Sequence, residues 1–438
     1  MKPDPSTTPC WRAIIRDSSA QAGESAASFT DPLSKLAQAP WLLVAMLVVL
    51  YTGWIGYQAV RNKLYDFNLY YIAADGFHRG VDVYSLARDY TGTNQPRWAE
   101  LAARHNIEYY APPYRYPPLT AQLVLPLTLL PPLVAGTMWI ALTAITFILS
   151  AWLLGKSSRL PYGAPLAYLL LFLFVPPLTT MHAGQVNGLL LLTLSLAVYS
   201  LARRDWIGAG IGLALGALLK LIPLVLVLYL PWRRLGKATV IAVAVIGVLL
   251  LTVPLTFEPG TLQAYLRQFF VIGQPGTLFP TPPNQSLNGF WARMLIDRVD
   301  DDIIYRIYLL SAVLVVLGTV ACCWPWGALV SHWRTEFALI VCALQLITPY
   351  AWYHQLVLLL IPLFVLICGI IAGRAPRWWL APLAVGFLLT DLHGLLWHHI
   401  TPTLLLSTPF YTVMMLWGML AWLIVREKWK RPGQRSIG

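Results

Sequence analysis

The sequence predicts an all-α integral membrane protein, a polytopic helical bundle with about 10–12 transmembrane helices. Of its 438 residues, 58% are hydrophobic and only 11% are charged, and the mean hydropathy is +0.62. Soluble domains are typically about 25% charged, so this chain has too few charged side chains to cover a soluble surface. Apolar runs close to the length of a membrane-spanning helix recur along the chain.

The apolar runs place candidate spans throughout residues 41–425. They cover residues 41–60, 118–131, 134–155, 161–180, 186–202, 207–231, 236–257, 303–323, 335–349, 354–373, 378–397 and 403–425. Two of them depart from a simple crossing. The run 118–131 is short and ends in two prolines, which indicates a re-entrant segment, and the run 207–231 is predicted to turn back near Lys220 as a broken helical hairpin.

Basic residues mark the predicted cytoplasmic side. The net charge of +12 is concentrated in short connections between spans, from Lys156 to Arg377, and in the tail that follows the last span. This is the positive-inside pattern, and it argues for membrane lipids rather than nucleic acid as the partner of these charges. Residues 1–40 lack the layout of a cleaved signal peptide and are expected to form a poorly ordered cytoplasmic arm. A membrane domain is predicted over 41–425 and a basic cytoplasmic tail over 426–438.

Acidic residues are concentrated in two long segments that we expect on the opposite, external side. Residues 61–118 and 258–302 form these two external loops. The acids are Asp66, Asp75, Asp82, Asp89, Glu100 and Glu108 in the first loop, and Glu258, Asp297, Asp300, Asp301 and Asp302 in the second. The polar chemistry of the protein is therefore expected outside.

Asp66 is the candidate catalytic base. It follows the first predicted span by six residues, so it is expected at the outer membrane surface among aromatic side chains that include Tyr65 and Tyr70. A carboxylate held there is placed to take a proton from a sugar hydroxyl, with Tyr70 as a candidate sugar-binding residue. The alternative interpretation is an ordinary solvated loop acid.

Four basic side chains are candidates for binding a phosphate: Lys220, His354, Arg115 and Arg293. Lys220 lies inside an apolar run, where a charge costs roughly 2.5–3.5 kcal/mol, so a functional reason is expected. His354 opens a span from the external side, and Arg115 precedes two prolines in YRYPPL. The alternatives are lysine and arginine side chains that reach toward lipid phosphate, and a structural histidine.

Neutral polar side chains cluster in two external turns. Gln185 and Asn187 lie in HAGQVNG, and Asn284, Gln285 and Asn288 lie in PPNQSLNGFWAR. We predict that these amides bind sugar or acceptor hydroxyls, whereas the alternative is that they satisfy the turn backbone.

The sequence indicates neither a metal site nor a resident cofactor. The five cysteines have no metal-ligand spacing. The acid and histidines near another external end, Asp391, His393, His398 and His399, do not form a convincing carboxylate–histidine set.

Six motifs occur in an order that resembles glycosyltransferase family 87. They are DFNLYY, YPPL, GQVN, GLALGALLKLIP, NQSLNG and PYAWYHQ, and the likeness runs from about residue 41 to residue 425. This family belongs to the polytopic GT-C enzymes and includes polyprenyl-phosphomannose-dependent α-1,2-mannosyltransferases of phosphatidylinositol mannosides.

The resemblance implies a GT-C fold and an inverting transfer of a hexose from a polyprenyl-phosphate sugar to a glycolipid or glycan acceptor at the outer membrane face. It implies Asp66 as the base and places Lys220 and His354 near the donor phosphate. The chain departs from the pattern at Gln355, where a second histidine is expected.

Two other classes of protein compete with the enzyme. A transporter or lipid-sugar flippase would use Lys220 as a buried charge on its transport path. It would also place ionisable groups near the middle of the bilayer, whereas most acids of this chain lie outside the predicted spans. A non-catalytic scaffold is expected to lack clustered polar residues in its external loops, and this chain has them.

Overall fold

The computed structural model describes residues 53, 64–86, 95–108, 110, 114–272, 277–325, 327, 330–399 and 402–429. In these residues the regular structure is helical, without a strand, and the nearest approach to a sheet is one bridge between Asn284 and Trp352. The predicted all-α class is therefore confirmed. The predicted arm over 1–40, nearly all of the predicted span 41–60, and the end of the tail lie outside the described residues.

The helices follow one another with short connections. The α-helices are α1 Tyr65–His78, α2 Val83–Leu86, α3 Gln95–Ala103, α4 Pro118–Val124, α5 Pro132–Ser157, α6 Gly163–Leu173, α7 Val175–Ala183, α8 Asn187–Arg203, α9 Trp206–Leu219, α10 Leu224–Trp232, α11 Gly236–Thr256, α12 Thr261–Ile272, α13 Leu287–Leu295, α14 Asp301–Cys323, α15 Trp333–Ile347, α16 Leu360–Ile371, α17 Leu380–Leu396 and α18 Thr408–Trp429. The 3-10 helices are Leu125–Leu129, Tyr353–Leu359, Arg377–Trp379, Trp397–His399 and Leu405–Ser407.

Six helical segments of the described chain are long and apolar enough to cross a membrane, or seven if α6 and α7 form one bent span. Those six are Pro132–Ser157, Gly236–Thr256, Asp301–Cys323, Tyr353–Ile371, Arg377–His399 and Leu405–Trp429. Three other predicted spans coincide with apolar helices that are shorter than a full crossing, namely Pro118–Leu129, Asn187–Arg203 and Trp206–Leu219. The polytopic prediction is confirmed, and two of these three runs, 118–131 and 207–231, are those that the sequence indicated were not simple crossings.

The two segments predicted as external loops contain regular helices. The first holds α1, α2 and α3, and the second holds α12 and α13. Helix α1 is almost wholly buried, because Phe67 packs 5.6 Å from the Trp139 ring and Tyr71 donates a hydrogen bond of 2.9 Å to the Leu130 carbonyl. Asp66 therefore belongs to a packed helix rather than to an irregular loop.

Two helix breaks position polar groups inside the bundle. Helices α6 and α7 meet at an angle of 59°, and the Asp391 carboxylate accepts a 2.8 Å hydrogen bond from the Val175 backbone N–H at the start of α7. Helix α9 ends at Leu219 and α10 begins at Leu224, so the predicted break near Lys220 is confirmed. Pro223 accounts for this break, because proline lacks the N–H that a continuous helix needs.

A buried ion pair joins α10 to α15. Arg233 donates to Glu336 through Nε at 2.9 Å and through a second, shorter bond from Nη2, and it also donates to the Cys323 and Pro325 carbonyls. The Tyr229 hydroxyl donates to the same carboxylate at 2.7 Å. Glu336 is thus the common acceptor for a guanidinium and a phenol that water does not reach.

Replacing Glu336 by alanine is expected to destabilise the fold strongly. The Arg233 guanidinium would remain buried without its counter-charge, which typically costs about 3–5 kcal/mol in the free energy of unfolding. The measurement is the apparent melting temperature in detergent, with Glu100→Ala on the exposed face of α3 as the matched control. Equal melting temperatures for the two variants would contradict the structural importance of the pair.

Candidate active site

A cavity of about 1170 Å³ collects polar side chains from distant parts of the chain. Its wall includes Asp66 from α1, Gln185 from the α7–α8 turn, Lys220 from the α9–α10 break and His354 from the 3-10 helix that precedes α16. Arg115, just before α4, completes the set. The fold therefore brings together five of the residues that the sequence singled out.

Asp66 lies in the first turn of α1, where the helix dipole favours a negative charge. Its carboxylate is buried, and Oδ2 has no hydrogen-bond partner among the described residues. Burial raises the pKa of Asp66 to about 7, while the Gln185 side chain and the charge of Lys220 act against this rise. A carboxylate on a cavity wall, with a pKa near neutrality and one oxygen without a hydrogen-bond partner, is suited to accept a proton from a substrate.

The Gln185 side chain is oriented by two tyrosines. The hydroxyls of Tyr70 and Tyr116 donate to its Oε1 at 3.0 and 3.1 Å. Because both bonds use the amide oxygen, the amide nitrogen remains as the donor for the neighbouring Asp66. Gln185 and Tyr70, which the sequence suggested as sugar-binding residues, thus support the carboxylate.

The turn before α8 explains how Gln185 reaches this place. Gly184 ends α7 in the left-handed region with φ of 72°, and its carbonyl accepts a 2.8 Å bond from the Trp139 indole. A Cβ at this position would lie 2.6 Å from the Phe67 Cβ, so only glycine lets the turn pack against α1.

Lys220 is the cation of the cavity wall whose contacts are best defined. Its Nζ donates to Gln355 Oε1 at 2.7 Å and to Asn187 Oδ1 at 3.4 Å, and it lies 6.0 Å from the centroid of the Tyr116 ring. These partners are neutral, and no ion pair within the described residues includes Lys220. The Asp66 carboxylate attracts this charge electrostatically but forms no salt bridge with it, so the ammonium group remains able to bind an anionic group in the cavity.

His354 and Arg115 add two more hydrogen-bond donors or cations to the wall. The His354 Nε2 atom is buried and has no hydrogen-bond partner among the described residues, while its backbone carbonyl accepts from Thr180 Oγ1 at 2.9 Å. The Arg115 guanidinium lies 5.1 Å from the centroid of the Tyr350 ring. Both residues line the same cavity as Asp66 and Lys220.

The second amide cluster does not line this cavity. The side chains of Asn284, Gln285 and Asn288 are fully buried, and they bond to backbone groups such as the Pro349, Leu406 and Thr277 carbonyls. Arg293 donates to the Thr281 and Asn284 carbonyls and to Ser407 Oγ. The structure gives these four residues contacts of a scaffold, which supports the alternative interpretation of turn-stabilising amides.

The cavity reaches the outer surface of the bundle through aliphatic side chains of α10. Leu224, Val225 and Leu228 line it, and they are 38%, 44% and 63% exposed. Leu221 and Ile222 continue this apolar wall inward from α10 to Lys220. Sequence reasoning did not identify this mouth, because in the sequence it is indistinguishable from any other apolar helix face.

Sequence reasoning also did not identify Tyr116 and Gln345 as part of the site, and it noted Gln355 only as a departure from a pattern. Tyr116 lies in the YRYPPL motif, so that motif contained a usable signal. Gln345 lies inside an apolar run of α15, where a single buried amide was the only indication.

The fold and the cavity define a class of protein: a multi-pass membrane protein with a buried carboxylate, an unneutralised lysine and an apolar mouth around one cavity. The chain belongs to glycosyltransferase family 87, whose family model matches residues 114–349. It is therefore a membrane glycosyltransferase, and the resemblance carried by the six motifs is confirmed.

Two relatives from Mycobacterium tuberculosis are similar over most of their length. One, a polyprenol-phosphate-mannose-dependent alpha-(1-2)-phosphatidylinositol pentamannoside mannosyltransferase, is 28% identical over 74% of this chain and 76% of its own. The other, a polyprenol-phosphate-mannose-dependent alpha-(1-2)-phosphatidylinositol mannoside mannosyltransferase, is 24% identical over 87% of this chain and 86% of its own.

Proposed function

We propose that this glycosyltransferase moves mannose from a polyprenyl-phosphate sugar to a hydroxyl of a lipid-linked acceptor at the non-cytoplasmic membrane face. The observation that carries the proposal is the single cavity that holds both the unpartnered Asp66 oxygen and the unneutralised Lys220. The names of both relatives include this donor and a phosphatidylinositol mannoside acceptor, which supports the same substrate classes here.

The proposed reaction is a direct displacement at the anomeric carbon. The acceptor oxygen forms a bond to that carbon as the bond to the donor phosphate oxygen breaks, and the electron pair leaves with the polyprenyl phosphate. Asp66 Oδ2 takes the proton from the acceptor hydroxyl. Because the acceptor attacks opposite the leaving group, the anomeric configuration inverts.

The leaving phosphate needs positive charge rather than an acid, because a phosphate ester is already a good leaving group. Lys220 supplies a charge at the end of the cavity wall, and the buried His354 nitrogen offers a second polar contact. We therefore propose that no resident metal ion is required and that this positive charge comes from the chain itself.

The apolar mouth supports a lipid-linked donor. A polyprenyl chain is aliphatic, and the side chains of Leu224, Val225 and Leu228 present a matching surface where the cavity opens. The tail would remain at this opening while the sugar phosphate reaches Lys220. The basic side chains of the short connections between spans follow the positive-inside pattern, which favours the non-cytoplasmic side for this chemistry.

The test is reconstitution of the purified protein in liposomes with polyprenyl-phosphate mannose and a phosphatidylinositol mannoside acceptor. Mass spectrometry is expected to show the acceptor extended by one hexose, and addition of a chelator is expected to leave the rate unchanged. Liposomes without protein and reactions with nucleotide-linked mannose are the controls. Movement of the donor between leaflets without a new glycolipid would instead support a flippase and overturn the proposal.

A further inference from the structure

Two glutamines form a chain of hydrogen bonds behind Lys220. Gln355 accepts the 2.7 Å bond from Lys220 Nζ with its Oε1 atom, and its Nε2 atom donates at 3.1 Å to Gln345 Oε1. Both amides are buried, at 1% and 0% exposure for Gln355 and Gln345. Gln355 belongs to the 3-10 helix Tyr353–Leu359 and Gln345 belongs to α15. Their hydrogen bonds therefore connect two packed elements to the α9–α10 break.

The hydrogen bonds determine which way each amide faces. A lysine ammonium group only donates, so Gln355 must present its oxygen to Lys220 and its nitrogen to the other side. Gln345 meets that nitrogen with its own oxygen. Without Gln345, the Gln355 nitrogen would have no acceptor. A rotation of the Gln355 amide that turns its oxygen away from Lys220 would then cost less free energy than it does in the wild-type protein.

The neutrality of this chain of bonds distinguishes it from an ordinary buried ion pair. Arg233, elsewhere in the bundle, is held by the Glu336 carboxylate, which cancels its charge. Lys220 is held by the amide oxygens of Gln355 and Asn187. An amide positions an ammonium group as a carboxylate does, but it leaves the net charge in place for another anion.

Position 355 also differs chemically from the second histidine that the resemblance to glycosyltransferase family 87 implies there. A histidine accepts through a ring nitrogen and gains a charge when it is protonated, which would oppose the ammonium group of Lys220. Glutamine has no titratable proton. Glutamine therefore adds no charge beside Lys220 at any physiological pH.

We propose that Gln355 and Gln345 are positioning residues that aim the Lys220 ammonium group at the donor phosphate and hold it through amide oxygens instead of a carboxylate. This inference rests on the proposed function, because it assigns the phosphate of the donor and of the released polyprenyl phosphate as the group that Lys220 contacts. Neither glutamine is expected to touch the reacting atoms.

The experiment compares Gln355→Glu and Gln345→Met with the wild-type protein in the same liposomes. Glutamate keeps the shape of glutamine and its bond to Lys220, and it adds the charge that would neutralise the lysine. It has no nitrogen to donate to the Gln345 oxygen, but the Gln345 amide can turn so that its unpartnered Nε2 atom donates to the new carboxylate. We expect Gln355→Glu to keep a wild-type melting temperature and to bind polyprenyl phosphate about ten- to one-hundredfold more weakly as a product inhibitor. We expect Gln345→Met to weaken product inhibition less than Gln355→Glu does, because it removes only the hydrogen bond that fixes the orientation of the Gln355 amide.

Gln263→Glu, on the exposed face of α12, is the matched control for the added charge, and its product inhibition should equal that of the wild type. If Gln355 had a purely structural role, the carboxylate of Gln355→Glu would still hold Lys220 in place, and the affinity for polyprenyl phosphate would not change. Unchanged product affinity in this variant would overturn the inference.

Gln345→Met provides the test if Gln355→Glu fails to fold. The Gln345 Nε2 atom has no hydrogen-bond partner among the described residues, but the Gln345 oxygen accepts from Gln355, so we expect this variant to fold with a modestly lower melting temperature. Wild-type product inhibition in this variant would then overturn the inference. The binding of polyprenyl phosphate is measured without an acceptor, so failure of the wild type to transfer sugar would refute the proposed function separately.

Discussion

Replacement of Asp66 by asparagine is expected to lower kcat for sugar transfer by about 10²–10⁴-fold, the usual contribution of a general base. Asparagine keeps the size of the side chain but does not accept the proton of the acceptor hydroxyl. The Oδ2 atom of Asp66 has no hydrogen-bond partner among the described residues, so the substitution breaks no bond at that atom. The measurement is the initial rate in liposomes at saturating donor.

The matched control for this variant is Asp82→Asn, which replaces an exposed acid in the same predicted external segment and should transfer sugar at the wild-type rate.

The dependence of stability on pH gives a second control. Burial raises the pKa of Asp66 above its unfolded value, from 3.8 to about 7. Between these pH values the folded state binds more protons, so its stability falls as pH rises through this window.

Asp66→Asn is consequently expected to be at least as stable as the wild type at neutral pH, because it removes the cost of a buried carboxylate. The wild-type kcat/KM should also fall as the pH drops below about 7, since protonation of Asp66 removes the base. Retention of full activity by a folded Asp66→Asn protein would exclude this carboxylate as the base.

The second large effect is expected at Lys220. Replacement by methionine keeps the length of the side chain and removes the charge, so the departing phosphate loses its cation. The expected result is a loss of about 10²–10³-fold in kcat/KM for the donor, comparable with the removal of one preorganised charge-stabilising donor. Methionine also costs less than lysine in an apolar helix, so the fold should remain stable.

This prediction is checked by varying the polyprenyl-phosphate mannose concentration for Lys220→Met and for Lys237→Met. Lys237 is an exposed lysine on α11 and is the matched control, with wild-type kinetics expected. Lys220→Arg should recover part of the lost activity, because it restores the charge but with a planar group that fits the Gln355 oxygen differently. Donor kinetics that are identical in the two methionine variants would remove Lys220 from the phosphate site.

Parts of this architecture could be predicted from local sequence because their causes are local. Apolar runs predict helices of membrane length, and Pro223 explains why the chain breaks next to Lys220. The residue types of Asp66, Lys220 and His354 marked them as unusual in their surroundings, and the fold places all three on one cavity.

Other parts depended on contacts between residues far apart in the chain. From the sequence alone, Gln185 and Asn284 have the same interpretation, since each is an amide in a polar turn. Gln185 faces the cavity because Tyr70, 115 positions earlier, packs beside it, whereas Asn284 is enclosed by the Phe279 and Pro349 carbonyls. Local composition does not distinguish a turn that faces a cavity from one that is covered.

The sequence by itself determined the helical membrane class, the helix break and the kinds of chemical group available for catalysis, because hydropathy and proline geometry act over neighbouring residues. Only the tertiary structure decided which of these groups face one cavity and which way each amide points. Those outcomes depend on hydrogen bonds such as that between Lys220 and Gln355, which join positions 135 residues apart. Such bonds leave no periodic pattern in the sequence, and only the packed bundle brings their partners within reach.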